Sequence, residues 1–339
     1  MAEPAMYNWL PFWPRTAAIT GQVVNTLYIA ELALCGFILL LVCGLLLRFC
    51  LTYRRGSQAS RADLTQKSWA WEIGWTVASL AAFLVLFVVG ALVYIWLYQS
   101  PRGDLEVYVV AKQWMWKMEH PGGQREIDAL HVPVDKTVRL VLASEDVIHS
   151  FFVPAFRIKH DVVPGTYETV WFKATKTGEY QIECTQYCGT QHAHMRGEVF
   201  VMAPADYARW LSDQGVHESL AQQGEALFRE RGCSGCHGAN STVHAPPLEG
   251  VYGSLVQLQG GSTVRADERY LHDCILEPRT FTVAGYPPIM PNFSGQLSED
   301  DVIKLVAYIQ SLADKEPPPS APSPSAPSPS SPSPKEPSR

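Results

Sequence analysis

Hydrophobic positions change their spacing twice along the chain. From Leu32 to Leu47 no residue is charged, and the apolar run reaches back to Val23 with only Asn25 and Glu31 interrupting it. A second uncharged run extends from Gly74 to Leu97. Each is about long enough to cross a hydrocarbon core of ~30 Å as a helix, so residues 23–98 are expected to hold two transmembrane helices joined by a loop at 48–70. From Asp104 onward the period shortens. The runs LEVYVVAKQWMW, TVRLVLAS, YETVWFKA, GEYQIE and GEVFVMA are separated by the turn signals HPGG, VPVDK, VPGT and KTGE. Short strands at this spacing predict an antiparallel all-β sandwich over 104–204.

After Pro204 the helical period returns. ADYARWLSDQG reads as a short helix within a linker at 205–217, and 218–314 reads as an all-α domain. That domain opens with ESLAQQGEALFRER and closes with SEDDVIKLVAYIQSLAD, where Ser298 followed by Asp301 predicts a capped helix start. Residues 315–339 alternate Pro, Ser and Ala without core-forming side chains, which predicts an extended tail. The expected fold class is therefore a multidomain membrane protein: a two-helix hairpin, a β-sandwich, then an all-α domain.

Charge adds a topology. The connector from Arg48 to Lys67 carries Arg48, Arg54, Arg55, Arg61 and Lys67 against Asp63 alone. The positive-inside rule puts it in the cytoplasm of a multi-pass protein in the cell membrane, with both termini and everything after residue 98 outside. A signal peptide would want a basic start and a short apolar core. Met1–Pro14 has no Lys or Arg, so 1–22 is expected to remain as an outer segment before a retained anchor. The formal net charge of −6 argues against nucleic acid as a partner. Residues 218–314 hold twelve acidic and six basic residues, a charge that favours a positively charged donor surface. Cys35, Cys43 and Cys50 share one helical face and read as small apolar packing residues, and Cys274 reads as a buried thiol.

Two segments carry chemistry. The first is Cys184-Thr-Gln-Tyr-Cys188-Gly-Thr-Gln-His192-Ala-His-Met195. Two thiolates, an imidazole and a thioether form a soft ligand set that suits copper. The set needs one distant imidazole, for which His149 in EDVIHSFFVPAF is the candidate. His194 is the rival of His192. The second segment, Cys233-Ser-Gly-Cys236-His237, is the attachment signature of a covalent c-type haem with His237 as iron ligand. Met290 in YPPIMPNF is the only Met between 218 and 314 and is the expected sixth ligand, with His244 and His272 as fallbacks.

The C-x3-C-x3-H-x2-M loop, the DVIHSF segment and the Gln113-Trp114-Met115-Trp116 stretch resemble subunit II of haem–copper cytochrome c oxidases, from Met6 to about Met202. Residues 218–314 resemble class I cytochromes c, and the fusion looks like a caa3-type oxidase. The resemblance implies a cupredoxin sandwich holding the dinuclear copper centre CuA. Cys184 and Cys188 would bridge the two coppers and His149 and His192 would bind one each, with Met195 and the carbonyl of Gln186 as weaker ligands. The family usually has Glu at position 186, where its side chain also serves a Mg²⁺, so that metal is not expected from Gln186. Trp114 matches the residue through which electrons reach CuA, whereas Trp116 reads as structural. Glu72 matches a carboxylate at the mouth of a proton channel. The implied activity is electron intake for an oxidoreductase and translocase with no catalytic residue in this chain. Cytochrome c or a quinol:acceptor complex would be the donor. The acceptor would be haem–copper subunit I, which reduces O2 to water alongside other oxidase subunits. A nitric oxide reductase core or a free membrane-tethered carrier are the alternative settings.

Overall fold

The computed structural model describes residues 15–60, 69–99, 101, 103–214, 218–238, 241, 243 and 245–313. The segment 1–14, connector residues 61–68, linker residues 215–217, His244 and the Pro/Ser tail lie outside the described residues. Two helices, α1 (Ile19–Thr52) and α2 (Trp69–Tyr98), are long and apolar enough to cross a membrane. At 34 residues α1 is roughly 50 Å long, more than a ~30 Å hydrocarbon core requires. It starts four residues ahead of the expected Val23 and continues through Thr52, past the expected loop start at Arg48. Charged side chains do not by themselves end a helix, and the extra turns lie at its two ends.

The early start has a tertiary cause. The Ala17 amide donates to the Ala155 carbonyl (3.0 Å) and the Thr175 amide to the Ala17 carbonyl (2.7 Å). The Thr20 hydroxyl donates to the Phe156 carbonyl at 2.7 Å. At the far end of α2, the Trp171 indole donates to the Leu97 carbonyl at 3.0 Å, and the Trp171 and Trp96 rings meet edge-on at 4.9 Å. The start of α1 and the end of α2 are thus fastened to the same side of the β-domain.

That domain has ten strands: β1 (Leu105–Lys112), β2 (Met115–Glu119), β3 (Arg125–Ile127), β4 (Ala129–Pro133), β5 (Thr137–Ser144), β6 (His149–Val153), β7 (Ile158–Val162), β8 (Glu168–Lys173), β9 (Gly178–Cys184) and β10 (Arg196–Met202). They form two sheets, ordered β3-β2-β1-β5-β8 and β4-β10-β9-β6-β7. Two expectations need correction. The run LEVYVVAKQWMW is two strands, because the chain reverses at Gln113–Trp114 and β2 pairs back on β1. The sandwich is also not wholly antiparallel, since β1 runs parallel to β5 and β4 parallel to β10. The chain crosses to the second sheet for β4 and returns for β5, so β5 arrives beside β1 in the same direction.

Alternation places Val107, Val109, Ala111, Val138, Leu140 and Leu142 in the sandwich core, around a fully buried Trp116. The opposite face of β1 and β5 is buried as well, because Tyr108, Val110, Val141 and Ala143 belong to a second core shared with the helical domain. Linker helix α3 (Pro204–Asp213) leads to that domain: α4 (Leu220–Glu230), the single turn α5 (Ser234–His237), a small hairpin β11 (Leu255–Gln257) and β12 (Thr263–Arg265), α6 (Glu268–Leu276) and α7 (Glu299–Ser311). The capping box at Ser298 and Asp301 is present, and Ser219 with Gln222 makes another at α4.

Helices α4 and α7 cross at Gly224. A Cβ there would lie 1.9 Å from the Lys304 carbonyl oxygen, a backbone atom that cannot rotate away. Gly224→Ala is therefore expected to destabilise the helical domain by about 2–3 kcal/mol through overpacking, lowering its calorimetric midpoint by roughly 10 °C or more. An unshifted midpoint would mean that the two helices can separate freely.

Candidate metal centres

His149 opens β6, and β6 pairs with β9 so that Phe151 lies opposite Cys184. This register brings one ligand atom each from His149, Cys184 and Cys188 within 4.8 Å of one another, all three residues buried. The two sulfurs are 3.8 Å apart, and His149 Nδ1 is 4.0 Å from Cys184 Sγ. The loop after β9 closes the other side: His192 Nδ1 lies 3.5 Å and Met195 Sδ 3.8 Å from Cys188 Sγ. The Gln186 carbonyl oxygen is 3.3 Å from Cys184 Sγ. His194 is exposed.

Groups around the cluster fix its orientation. His149 Nε2 lies 2.8 Å from Asp146 Oδ1, leaving Nδ1 toward the sulfurs, and Asp146 Oδ2 accepts the Gln113 amide at 2.8 Å. The Cys188 carbonyl accepts from both the Gln113 side-chain amide (2.7 Å) and the Trp114 indole (3.2 Å). Trp116 packs edge-on against His149 and Phe151. Burial alone would raise the Cys184 thiol, but hydrogen bonds with His149, Ser150 and Gln186 bring it down to about 6. Burial and the Cys184 charge push Cys188 up to about 12. Ionising one thiol thus makes its neighbour harder to ionise, as expected of a pair whose two charges need a cation between them. Soft donors in a dry pocket, with the imidazole oriented from behind, fit copper.

In the helical domain, Cys233, Cys236, His237 and Met290 all line one cavity of about 480 Å³. Its walls include Leu271, Ile275, Phe281, Leu305 and Ile309, an apolar lining that fits a flat hydrophobic macrocycle. His237 Nδ1 lies 2.9 Å from the Pro246 carbonyl, which sets the tautomer and leaves Nε2 as the free nitrogen for an iron. Cys274 lines the same cavity and is half-buried, with its thiol raised to about 11 chiefly by burial. His272 does not line it, because its Nδ1 is 2.9 Å from Asp273 and its Nε2 3.4 Å from Glu299.

Trp114 is half-buried beside the copper-type cluster. Glu72 lies in the first turn of α2, far along the chain from either cluster. Cys35, Cys43 and Cys50 are exposed on α1. Asp146, Gln113 and Pro246 were not anticipated. Asp146, three residues before His149 in the same turn, was the one with a local signal.

Residues 94–201 match the family "Cytochrome C oxidase subunit II, periplasmic domain", and residues 221–313 match "Cytochrome c". The chain thus joins a domain of the cytochrome c oxidase subunit II family to a cytochrome c domain. Cytochrome c oxidase subunit 2 of Alkalihalophilus pseudofirmus is 29% identical over 72% of this chain and 73% of its own length. The protein of the same name from Thermostichus vulcanus is 44% identical over 39% of this chain and 46% of its own length. The crystal structure of the periplasmic domain of subunit II of cytochrome oxidase of Bradyrhizobium japonicum is 32% identical, covers 34% of this chain and 96% of that domain, and gives a TM-score of 0.34. As an oxidase subunit II with a cytochrome c domain, the chain is part of an oxidoreductase complex, anchored by apolar helices and associated with other oxidase subunits. The two domain types imply copper in the sandwich and haem c in the helical domain.

Proposed function

We propose that this chain is the electron-accepting subunit of a caa3-type terminal oxidase. Cys233, Cys236, His237 and Met290 would hold one haem c, and His149, Cys184, the Gln186 carbonyl, Cys188, His192 and Met195 would hold a two-copper CuA centre. The two groups would supply one-electron exchange between an external donor, cytochrome c or a quinol-oxidising complex, and a haem–copper catalytic subunit that reduces O2 to water. The observation that carries the reading is the gathering of two thiols, two imidazoles and a thioether in one closed cluster. Such a centre, when loaded, exchanges single electrons with little ligand rearrangement.

The protein's own part is to hold the donors still. Asp146 orients His149 while Gln113 and Trp114 grip the Cys188 carbonyl, so the loop geometry is set before metal arrives. Trp114 bridges surface and cluster, the position of an electron relay. In the membrane, the basic connector faces the cytoplasm and both redox domains lie on the outer side. The attachment of α1's start and α2's end to one sandwich supports this. The decisive experiment is purification of the complex with metal analysis, absorption spectrum and O2 uptake measured together. Two coppers, one haem c and O2 consumption are expected; consumption of NO instead would overturn the acceptor assignment.

Glu72 takes the role of a carboxylate at the cytoplasmic mouth of a proton path into the catalytic subunit. Glu72→Gln is expected to slow steady-state turnover several-fold while reduction of the copper centre keeps its rate. Unaffected turnover would assign Glu72 to the membrane interface alone.

A further inference from the structure

The outer face of β1 and β5 is unlike that of a free sandwich. Strand register sets Glu106 beside Arg139, Tyr108 beside Val141 and Val110 beside Ala143. Of these, Val110 is 0% and Val141 1% exposed, because they belong to the core shared with the haem domain. Within this apolar face, Arg139 projects toward α6 and donates two parallel hydrogen bonds to Glu268, each of 2.8 Å. It also pairs with Glu106. Glu268 further accepts from Gln310 Nε2 on α7 (3.1 Å) and from the Tyr252 hydroxyl. The Tyr108 hydroxyl reaches Gln310 Oε1 at 3.1 Å, tying strand to helix.

Arg139 and Glu268 are 13% and 3% exposed at their side chains, and 129 residues separate them in sequence. Burial disfavours both charges, yet the carboxylates hold the guanidinium more firmly protonated than usual, and Arg139 and Tyr252 hold Glu268 below its usual range. An apolar seat alone would permit several sliding registers. A bidentate guanidinium–carboxylate pair inside it has one good geometry, and any other leaves the Glu268 carboxylate buried without its partner.

We propose that Arg139 is a positioning residue that locks the haem domain onto the β1/β5 face in one register, so that the haem and the copper cluster keep a fixed separation. The domain is a mounted unit rather than a tethered carrier. This deepens the electron path proposed above and rests on it. Electron transfer between centres falls steeply with distance, so loss of register slows that single step and leaves delivery from the donor unchanged.

The test uses the purified oxidase complex with the full chain, in wild type, Arg139→Met, Glu268→Gln and the exchanged pair R139E/E268R. Haem-to-copper transfer is followed after flash reduction of the haem, and amide hydrogen exchange is followed across 268–276. In Arg139→Met the transfer rate is expected to fall at least tenfold and exchange in α6 to rise at least tenfold. Haem and copper spectra and the rate of haem reduction by the donor stay as in wild type. The exchanged pair restores both quantities to within about threefold of wild type. Should Arg139→Met fail to assemble, Glu268→Gln decides, with a change of threefold or more expected in both quantities. Unchanged transfer and exchange in the assembled variants overturn the inference. Absence of haem-to-copper transfer in wild type instead overturns the proposed electron path, while the exchange data still report on the seat.

Discussion

Cys188→Ser is expected to abolish the mixed-valence copper EPR signal while leaving the haem c absorption spectrum unchanged. Cys188 Sγ is the hub of the cluster, within 3.8 Å of the Cys184 and Met195 sulfurs and 3.5 Å from His192. A serine oxygen is a hard, shorter donor that neither ionises readily nor bridges soft cations. Loss of a merely supporting contact costs roughly 10–100-fold in metal affinity. Loss of the shared thiolate should exceed that and reduce copper to one or fewer per chain. The fold should survive, because Gln113 and Trp114 hold the loop through hydrogen bonds to the Cys188 carbonyl, which a serine keeps. The haem cavity is lined entirely by residues 228–309, so its spectrum is an internal control. An unaltered EPR signal would remove Cys188 from the ligand set.

The second large effect is expected at Met290. Met290 and the attachment residues Cys233, Cys236 and His237 line a single cavity, and Pro287, Pro288 and Pro291 stiffen the segment that carries the Met. Met290→His replaces a weak thioether by a stronger nitrogen donor, which favours the oxidised iron and lowers the potential. The shift should be on the order of 0.1–0.3 V, within the roughly 0.8 V range that axial ligands command. The haem should remain covalently bound, since its thiols lie elsewhere on the cavity wall. Redox titration of the full complex reads the shift directly. An unchanged potential would place another side chain on the iron, though His272 is engaged with Asp273 and Glu299.

The sequence by itself determined whatever is local. Two uncharged runs long enough for a bilayer can only be helices there, because hydrocarbon offers no partner to an open backbone. The spacing from Cys184 to Met195 pointed to a soft metal loop, and Cys233-Ser-Gly-Cys236-His237 to haem attachment, since a few intervening residues already limit which side chains can share one ion or one ring. The capping box at Ser298 was legible for the same reason: donor and acceptor are three residues apart.

Tertiary structure decided what depends on pairing between distant strands. His149 reaches Cys184 across 35 residues only because β6 and β9 are neighbours in register. The alternation in VYVV was compatible with a solvent-facing side, and nothing local showed that Tyr108 and Val110 would be covered by helices some 200 residues on. The parallel pairing of β1 with β5 likewise has no signature in either strand, because alternation is the same in both directions. Arg139 read as one more polar position in TVRLVLAS. Its place between Glu106 and Glu268 follows from the pairing of β5 with β1 and the packing of α6 against them, set by the sum of many weak apolar contacts and not by the residues adjacent to it in the chain.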